Sequence, residues 1–113
     1  MRVALHSVIR AGAIDGYRAE HAVIPDDLER SFARLGIHDW TIWRSGDRLF
    51  HVVECDDFDA AMRELDSDPA NLAWQQTIGE FVETFRDADG GSGFTPIEEV
   101  WDLRRQRGDE HRP

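Results

Sequence analysis

Residues 38–55 read "HDWTIWRSGDRLFHVVEC", the most strongly patterned stretch of the chain. Two runs rich in aromatic and β-branched residues, 38–44 and 47–55, flank a Ser-Gly pair. Runs of this kind, joined by a short turn that contains glycine, predict a β-hairpin. Trp40 and Trp43 stand three residues apart in the first run, so they point to opposite faces of the sheet. The stretch therefore predicts two adjacent antiparallel strands with a tryptophan on each face.

On the N-terminal side of the hairpin, the sequence predicts a strand and an interrupted helix. Residues 2–10, "RVALHSVIR", are rich in β-branched and apolar side chains and predict a strand. A helical stripe follows, with apolar side chains at Ile14, Tyr17, Ile24, Leu28, Phe32 and Leu35. Pro25 interrupts the stripe, because its ring disfavours helical geometry at the preceding residue and suits the first turn of a new helix. We therefore predict a kinked or two-part helix that Gly36 ends.

On the C-terminal side, two helices and a last strand are predicted. The segments are a helix over 56–65, a helix over about 70–85, a flexible loop over 87–93 and an edge strand over 94–103. The polar residues 104–113 predict a frayed tail behind a single domain that spans residues 1–103.

The predicted order is strand, helix, strand, strand, helix, strand. This is the ferredoxin-like βαββαβ arrangement, an α+β fold with an antiparallel sheet and helices on one face. The other face of such a sheet is bare, and Trp43, Phe50 and Val52 are expected on it. Because an exposed apolar face of this size marks an interaction surface, we predict a homodimer that forms through the sheets.

Composition narrows the possible partners. The chain has 13 basic and 23 acidic side chains, a formal net charge of −10. This balance repels phosphate backbones and anionic membranes, so we expect neither a nucleic-acid nor a membrane partner, whereas a neutral sugar is not repelled. Cys55 is the only cysteine, which fits a reducing compartment. No apolar run approaches membrane-spanning length, and we expect a cytoplasmic protein.

Residues 16–21, "GYRAEH", put Tyr17 and His21 one helical turn apart, so both side chains share a face. The pair is either part of the core or an acid–base pair, since histidine titrates near neutral pH and a phenol hydrogen-bonds there. The four tryptophans of the chain also have two interpretations, core packing or sugar binding, because indole rings fill cores and also stack on the C–H faces of sugars.

The remaining histidines raise the question of a metal. His6, His38 and His51 lie on separate predicted strands. No short His, Cys, Asp or Glu spacing of the kind that metal ligands show accompanies them. We therefore predict no metal site.

Several segments in a fixed order resemble the L-rhamnose mutarotases. They are the Tyr-x-x-x-His of residues 17–21, "LGIHDWTIW" (35–43), "RLFHVVE" (48–54), "NLAWQQTIGEF" (71–81) and "IEEVWDL" (97–103). The resemblance covers about residues 2–103. It implies a dimeric α+β barrel and an enzyme that interconverts the α and β anomers of a free monosaccharide, with a histidine as proton donor.

Carried over by position, the resemblance implies a role for each of five residues. His21 is the catalytic acid–base, and Tyr17 and Trp74 contact the sugar. Trp40 also contacts the sugar, at a position where the family commonly has a tyrosine. Gln75 replaces the second member of the family's Trp-Trp pair. Ring opening moves protons but no electrons and accumulates no charge, so we expect neither a metal nor another cofactor.

The sequence departs from the family beside this predicted site. Residues 22–28 read "AVIPDDL" where the family has roughly Asn-Pro-Ile-Trp-Pro-Glu-Leu. This change and Gln75 leave L-fucose, another 6-deoxy sugar or a pentose as competitors to L-rhamnose. Two other functions stay open on the same fold. One is a monooxygenase or haem-degrading enzyme in which His21 binds haem or contacts an aromatic substrate, and the other is a non-catalytic binding module.

Overall fold

The computed structural model describes residues 1–84 and 96–108. The elements in chain order are β1 (Arg2–Ile9), α1 (Ile14–Glu20), α2 (Asp26–Arg34), β2 (Ile37–Ser45), β3 (Arg48–Cys55), α3 (Phe58–Leu65), α4 (Pro69–Ile78), β4 (Val82–Thr84), β5 (Pro96–Ile97) and α5 (Leu103–Arg107). None of these helices is long and apolar enough to span a membrane.

The strands form one antiparallel sheet in the order β2-β3-β1-β4. The short strand β5 also pairs with β1, at Ala4 and Leu5, whereas β4 pairs further along at Val8 and Ile9. The predicted ferredoxin-like α+β class is therefore confirmed, with the fourth strand position shared by two short pieces.

The register of the central hairpin confirms that its two tryptophans lie on opposite faces. Trp40 is paired with Val53, which is fully buried, and faces the helices. Trp43 is paired with Phe50 on the other face, where the two side chains are 55% and 38% exposed. The bare face of the sheet thus carries aromatic surface, as the sequence predicts.

The core lies between the buried face of the sheet and the helices. One cluster joins both central strands to α3 and includes Leu5, Val53, Phe58 and Leu65. A second cluster joins the other end of the sheet to α1 and α4: Ile9, Tyr17, Leu49, Ile78 and Val82. Between them the sheet carries two buried polar residues, Ser7 and His51.

The predicted two-part helix is confirmed. The first part, α1, ends with His21 as its C-cap. Pro25 has an extended ψ of 144° and stands directly before α2, where its missing N–H costs no helical hydrogen bond. A positive φ of 76° at Gly36 turns the chain out of α2 and into β2.

The prediction of one helix over 70–85 is wrong beyond residue 78. The helix α4 ends at Ile78, and Val82 begins a strand that pairs with Ile9. The Arg10 N–H also donates to the Phe81 carbonyl at 2.8 Å. These bonds pair the backbone N–H and C=O groups at the edge of β1. The stabilisation from this long-range pairing outweighs the apolar spacing that favoured a longer helix.

The prediction of a strand over 94–103 is also too long. Among the described residues of this range, which begin at residue 96, only Pro96–Ile97 pair with β1, and residues 98–102 follow without regular structure. Part of the predicted frayed tail is helical, because Asp102 caps α5 by accepting a hydrogen bond from the Arg105 N–H. The predicted loop over 87–93 lies outside the described residues, as do residues 109–113.

Asp68 joins helices α2 and α4. It is buried at the N-cap of α4, where its carboxylate accepts the Asn71 N–H at 3.1 Å. It also accepts the Ser31 hydroxyl at 2.9 Å and the Arg34 guanidinium at 3.0 Å, both from α2. Burial raises the pKa of Asp68, but these hydrogen bonds outweigh it and leave the pKa below its ordinary value.

Replacing Asp68 with alanine is expected to lower the thermal midpoint of unfolding, because the Ser31 hydroxyl and the end of α4 both lose their acceptor. The matched control is Asp57→Ala, since Asp57 caps α3 through a single exposed hydrogen bond to the Ala60 N–H, which costs about 1 kcal/mol to lose. Circular dichroism melts compare the two variants. Equal midpoints would contradict the role of Asp68 as a link between helices.

Candidate active site

A cavity of about 1110 Å³ lies between the helices and the buried face of the sheet. Pockets for small molecules usually measure about 300–1,000 Å³, so this space is ample for one. Each predicted site residue lines it: Tyr17 and His21 from α1, Trp40 from β2, and Trp74 and Gln75 from α4. The structure therefore brings together side chains that lie up to 58 residues apart in the sequence.

Tyr17 and His21 form one wall of the cavity. Their ring centroids are 4.2 Å apart, and the ring centroids of His21 and Trp74 are 5.0 Å apart with the two rings at 78°. Nδ1 of His21 lies 3.0 Å from the Tyr17 carbonyl oxygen. Because a carbonyl only accepts, Nδ1 carries the proton of the neutral ring and Nε2 carries the lone pair. Within residues 1–84 and 96–108, Nε2 has no hydrogen-bond partner.

Burial keeps both members of this pair uncharged at neutral pH. It lowers the pKa of His21 below 6.5, although the Tyr17 carbonyl and the Glu20 carboxylate act in the opposite direction. It raises the pKa of Tyr17 well above its ordinary value. The pair thus offers a neutral imidazole and an intact phenol.

Trp40 forms a second wall on β2. Its ring stacks on Phe32 with a centroid distance of 5.7 Å and an interplanar angle of 22°. Its indole Nε1 donates a hydrogen bond to Nδ1 of His51 at 3.1 Å. The indole is therefore held both at its face and at its polar edge.

The polar residues of the cavity include several that the sequence did not predict as site residues. Gln75 Nε2 donates to Asn71 Oδ1 at 3.4 Å, and Asn71 Nδ2 donates to the Leu65 carbonyl at 3.0 Å. The lining also carries three carboxylates, from Glu29, Asp39 and Asp66. Asn71 lies one helical turn before Gln75, and that spacing was a usable signal.

The three strand histidines do not meet. His6 lies on the open face of the sheet, 5.3 Å from Phe50 between ring centroids, and His38 is paired with Asp56 at 2.8 Å. His51 is 2% exposed and lines the cavity. The part of the chain that the structure describes contains no cluster of metal-ligating side chains.

Gly16 allows α1 to approach the ring of Phe81 closely. A Cβ built at this position would lie 2.5 Å from Cε1 of Phe81, which is far inside van der Waals contact. The residue that follows is Tyr17. A side chain at position 16 would therefore press on the wall that carries Tyr17 and His21.

This chain has an antiparallel sheet with helices on one face and a cavity between the two layers. This architecture places it in the ferredoxin-like α+β class, which contains small enzymes and binding proteins. The sequence model of the L-rhamnose mutarotase family matches residues 2–103. The chain belongs to this family, and the protein is accordingly a sugar mutarotase, an isomerase. No curated protein sequence gives a significant match to the chain.

Solved structures share the fold at low sequence identity. An L-rhamnose mutarotase from Formosa agariphila has a TM-score of 0.73 and 16% identity, and the alignment covers 90% of this chain and 97% of that one. Tetracenomycin F2 cyclase from Streptomyces glaucescens has a TM-score of 0.57 at 16% identity, with coverage of 90% and 97%. An uncharacterized NIPSNAP domain protein from Burkholderia xenovorans has a TM-score of 0.56 at 16% identity, with coverage of 90% and 95%.

Gly16→Ala is expected to lower kcat/KM for anomer exchange by roughly one to two orders of magnitude, because displacements near 1 Å in a catalytic wall have effects of that size. Saturation-transfer NMR measures the exchange. The control is the double variant Gly16→Ala with Phe81→Leu, in which the smaller side chain relieves the contact and restores activity. Wild-type activity in the single variant would contradict the requirement for close approach.

Proposed function

We propose that the protein interconverts the α and β anomers of a free, neutral 6-deoxy sugar, with L-rhamnose as the first candidate. The observation that carries this proposal is the Tyr17–His21 pair, which lines the same cavity as the two indoles of Trp40 and Trp74. Imidazole and phenol supply proton exchange, and the aromatic walls supply surface for the C–H faces of a sugar ring.

The reaction opens and closes a hemiacetal. A proton leaves the anomeric hydroxyl, the bond between the anomeric carbon and the ring oxygen breaks, and the ring oxygen receives a proton. Rotation about the bond next to the carbonyl presents its other face, and the reverse transfers close the ring as the other anomer. Protons and electrons balance without an external reagent, so we propose neither a metal nor another cofactor.

In this proposal His21 carries the proton of the anomeric hydroxyl to the ring oxygen. Since burial lowers the pKa of His21, the ring enters the cycle neutral, and its Nε2 lone pair accepts the proton of the anomeric hydroxyl. As the ring opens, the imidazolium donates that proton to the ring oxygen, which is the donor role that the family resemblance implies, and closure reverses both transfers. The Tyr17 phenol stays protonated because its pKa is raised, and it is able to donate a hydrogen bond to the ring oxygen.

Binding in this proposal combines aromatic surface with neutral hydrogen-bonding groups. Trp40 and Trp74 contact the sugar ring, and Gln75 hydrogen-bonds a hydroxyl in the place of the family's second tryptophan. The carboxylates of the lining and the net charge of −10 disfavour phosphorylated and acidic sugars. Because the sequence differs from the family pattern at Gln75 and at residues 22–28, L-fucose is the second sugar to test.

The fold alone supports the alternative of a monooxygenase or haem-degrading enzyme, and no contact in the cavity favours it.

For the location of the protein we propose the cytoplasm, since a single buried cysteine fits a reducing compartment. The acidic charge makes nucleic acids and anionic membranes poor partners.

His21→Ala is expected to lower anomer exchange on L-rhamnose by about 10²–10⁴-fold, the usual contribution of one general acid–base group. The pH profile of the wild type gives a second readout. Because the neutral imidazole is the reactive form and its pKa is lowered, the rate falls on the acid side with an apparent pKa below 6.5 and stays level through neutral pH.

The matched control is His111→Ala, since this histidine lies outside the family match at residues 2–103. It should exchange anomers at the wild-type rate. Undiminished exchange by the His21 variant would refute its role, and an apparent pKa well above 6.5 would refute the neutral starting state. Exchange on L-fucose or a pentose in place of L-rhamnose would reassign the sugar and leave the chemistry standing.

We also propose a homodimer through the open face of the sheet. Trp43 and Phe50 pair across the hairpin on this face, and Val52 lies beside them. His6 and Ile97 extend the same face over β1 and β5. Apolar surface of this extent is uncommon on monomers, and a second copy that presents the same face covers it by two-fold symmetry.

Sedimentation at micromolar concentration is expected to give about twice the 13.0 kDa chain mass, because two-fold pairing is the commonest closed assembly. Trp43→Glu should shift the species to a monomer, since it buries a charge in the interface. Val23→Glu is the control, because Val23 is 82% exposed on the helical side. A wild-type monomer would contradict the proposal.

A further inference from the structure

A chain of hydrogen bonds crosses the adjacent strands β1, β3 and β2 beneath the cavity. Ser7 on β1 lies 3.0 Å from Nε2 of His51 on β3, between Oγ and the ring nitrogen. Nδ1 of the same ring lies 3.1 Å from the indole Nε1 of Trp40 on β2. Ser7 and His51 are both buried, at 3% and 2% exposure.

The indole donor at one end of this chain of hydrogen bonds fixes the tautomer of His51. An indole N–H can only donate, so Nδ1 of His51 must accept. The neutral imidazole then carries its proton on Nε2 and donates it to the Ser7 hydroxyl oxygen. A second proton on Nδ1 would point at the Trp40 N–H, and burial together with the nearby His21 and His6 lowers the pKa of His51 to about 4.

This arrangement gives different roles to His21 and His51, two of the three histidines that line the cavity among the described residues. Both ring nitrogens of His51 are engaged in holding neighbours, so a proton transfer through it would break one of the two bonds. His21 instead keeps Nε2 without a partner among the described residues. His51 is therefore suited to hold Trp40 in place, and His21 to exchange protons.

We propose that His51 is a positioning residue that, with Ser7 behind it, anchors the indole of Trp40 so that this wall presents its aromatic surface to the sugar. The inference rests on the proposed function, because the wall matters only where a sugar binds it. Phe32 stacks on the indole, and the His51 bond fixes the remaining rotation of the ring about its side-chain torsions.

The first test is ¹⁵N NMR of the wild-type protein, which needs neither a variant nor a substrate. We expect His51 to show an unprotonated Nδ1 and a protonated Nε2 across neutral pH, with the Trp40 indole N–H shifted as a hydrogen-bond donor. A protonated Nδ1, or a doubly protonated ring at pH 7, would overturn the proposal.

The second test separates KM from kcat in His51→Leu. Loss of the anchor weakens a contact that the sugar makes before and during ring opening, so KM for the accepted sugar should rise about tenfold with kcat within about twofold. His51→Asn is the matched variant, because its amide oxygen takes the approximate place of Nδ1 and still accepts from Trp40. It should recover most of the affinity.

Each outcome bears on one proposal. A folded His51→Leu protein with wild-type KM overturns the positioning role, and so does a fall in kcat with KM unchanged, since that places His51 in the chemistry. If His51→Leu fails to fold, the Asn variant and the wild-type spectrum decide. If the wild type exchanges no sugar while the spectrum shows the expected tautomer, the proposed function fails and the anchor stands as a structural bond.

Discussion

The antiparallel pairing of β1 with β3 is the constraint on which the rest of the structure depends. Its register sets Leu5 opposite His51 and Ser7 opposite Leu49, so the buried side chains of both strands share one face. A slip by one residue would turn that whole set toward the open face. β3 also pairs with β2 on its other side. The pairing of β1 with β3 therefore also sets the positions of the strand residues that line the cavity.

The chemistry of the cavity follows from burial beneath the helices. Tyr17, His21 and His51 are each shifted toward their uncharged forms, two by a lowered pKa and one by a raised pKa. A strongly acidic protein thus encloses a group of neutral hydrogen-bonding side chains. Such a setting suits a reaction that moves protons between oxygens and leaves no net charge on its substrate or product.

Local patterns predicted the central hairpin, the break before α2 and the face of each hairpin tryptophan. They did not predict β4, because its strand conformation depends on the free edge of β1, which no window around residues 82–84 contains. The five expected site residues do line one cavity, and their roles stay predictions. His51 was missed as a site residue because its partners come from two other strands, although the alternation of Leu49, His51 and Val53 marked it as buried.

The hydrogen bond between Trp40 and His51 depends on which residue type stands at position 40. The family resemblance implies a tyrosine at this position, and a phenol hydroxyl both donates and accepts, so its partner is free to take either tautomer. An indole donates only, which makes an acceptor beneath it necessary once the ring is buried. His51 provides that acceptor and passes its own proton to Ser7. The tryptophan and the histidine therefore form a unit, in which the indole sets the tautomer of the imidazole and the imidazole sets the orientation of the indole.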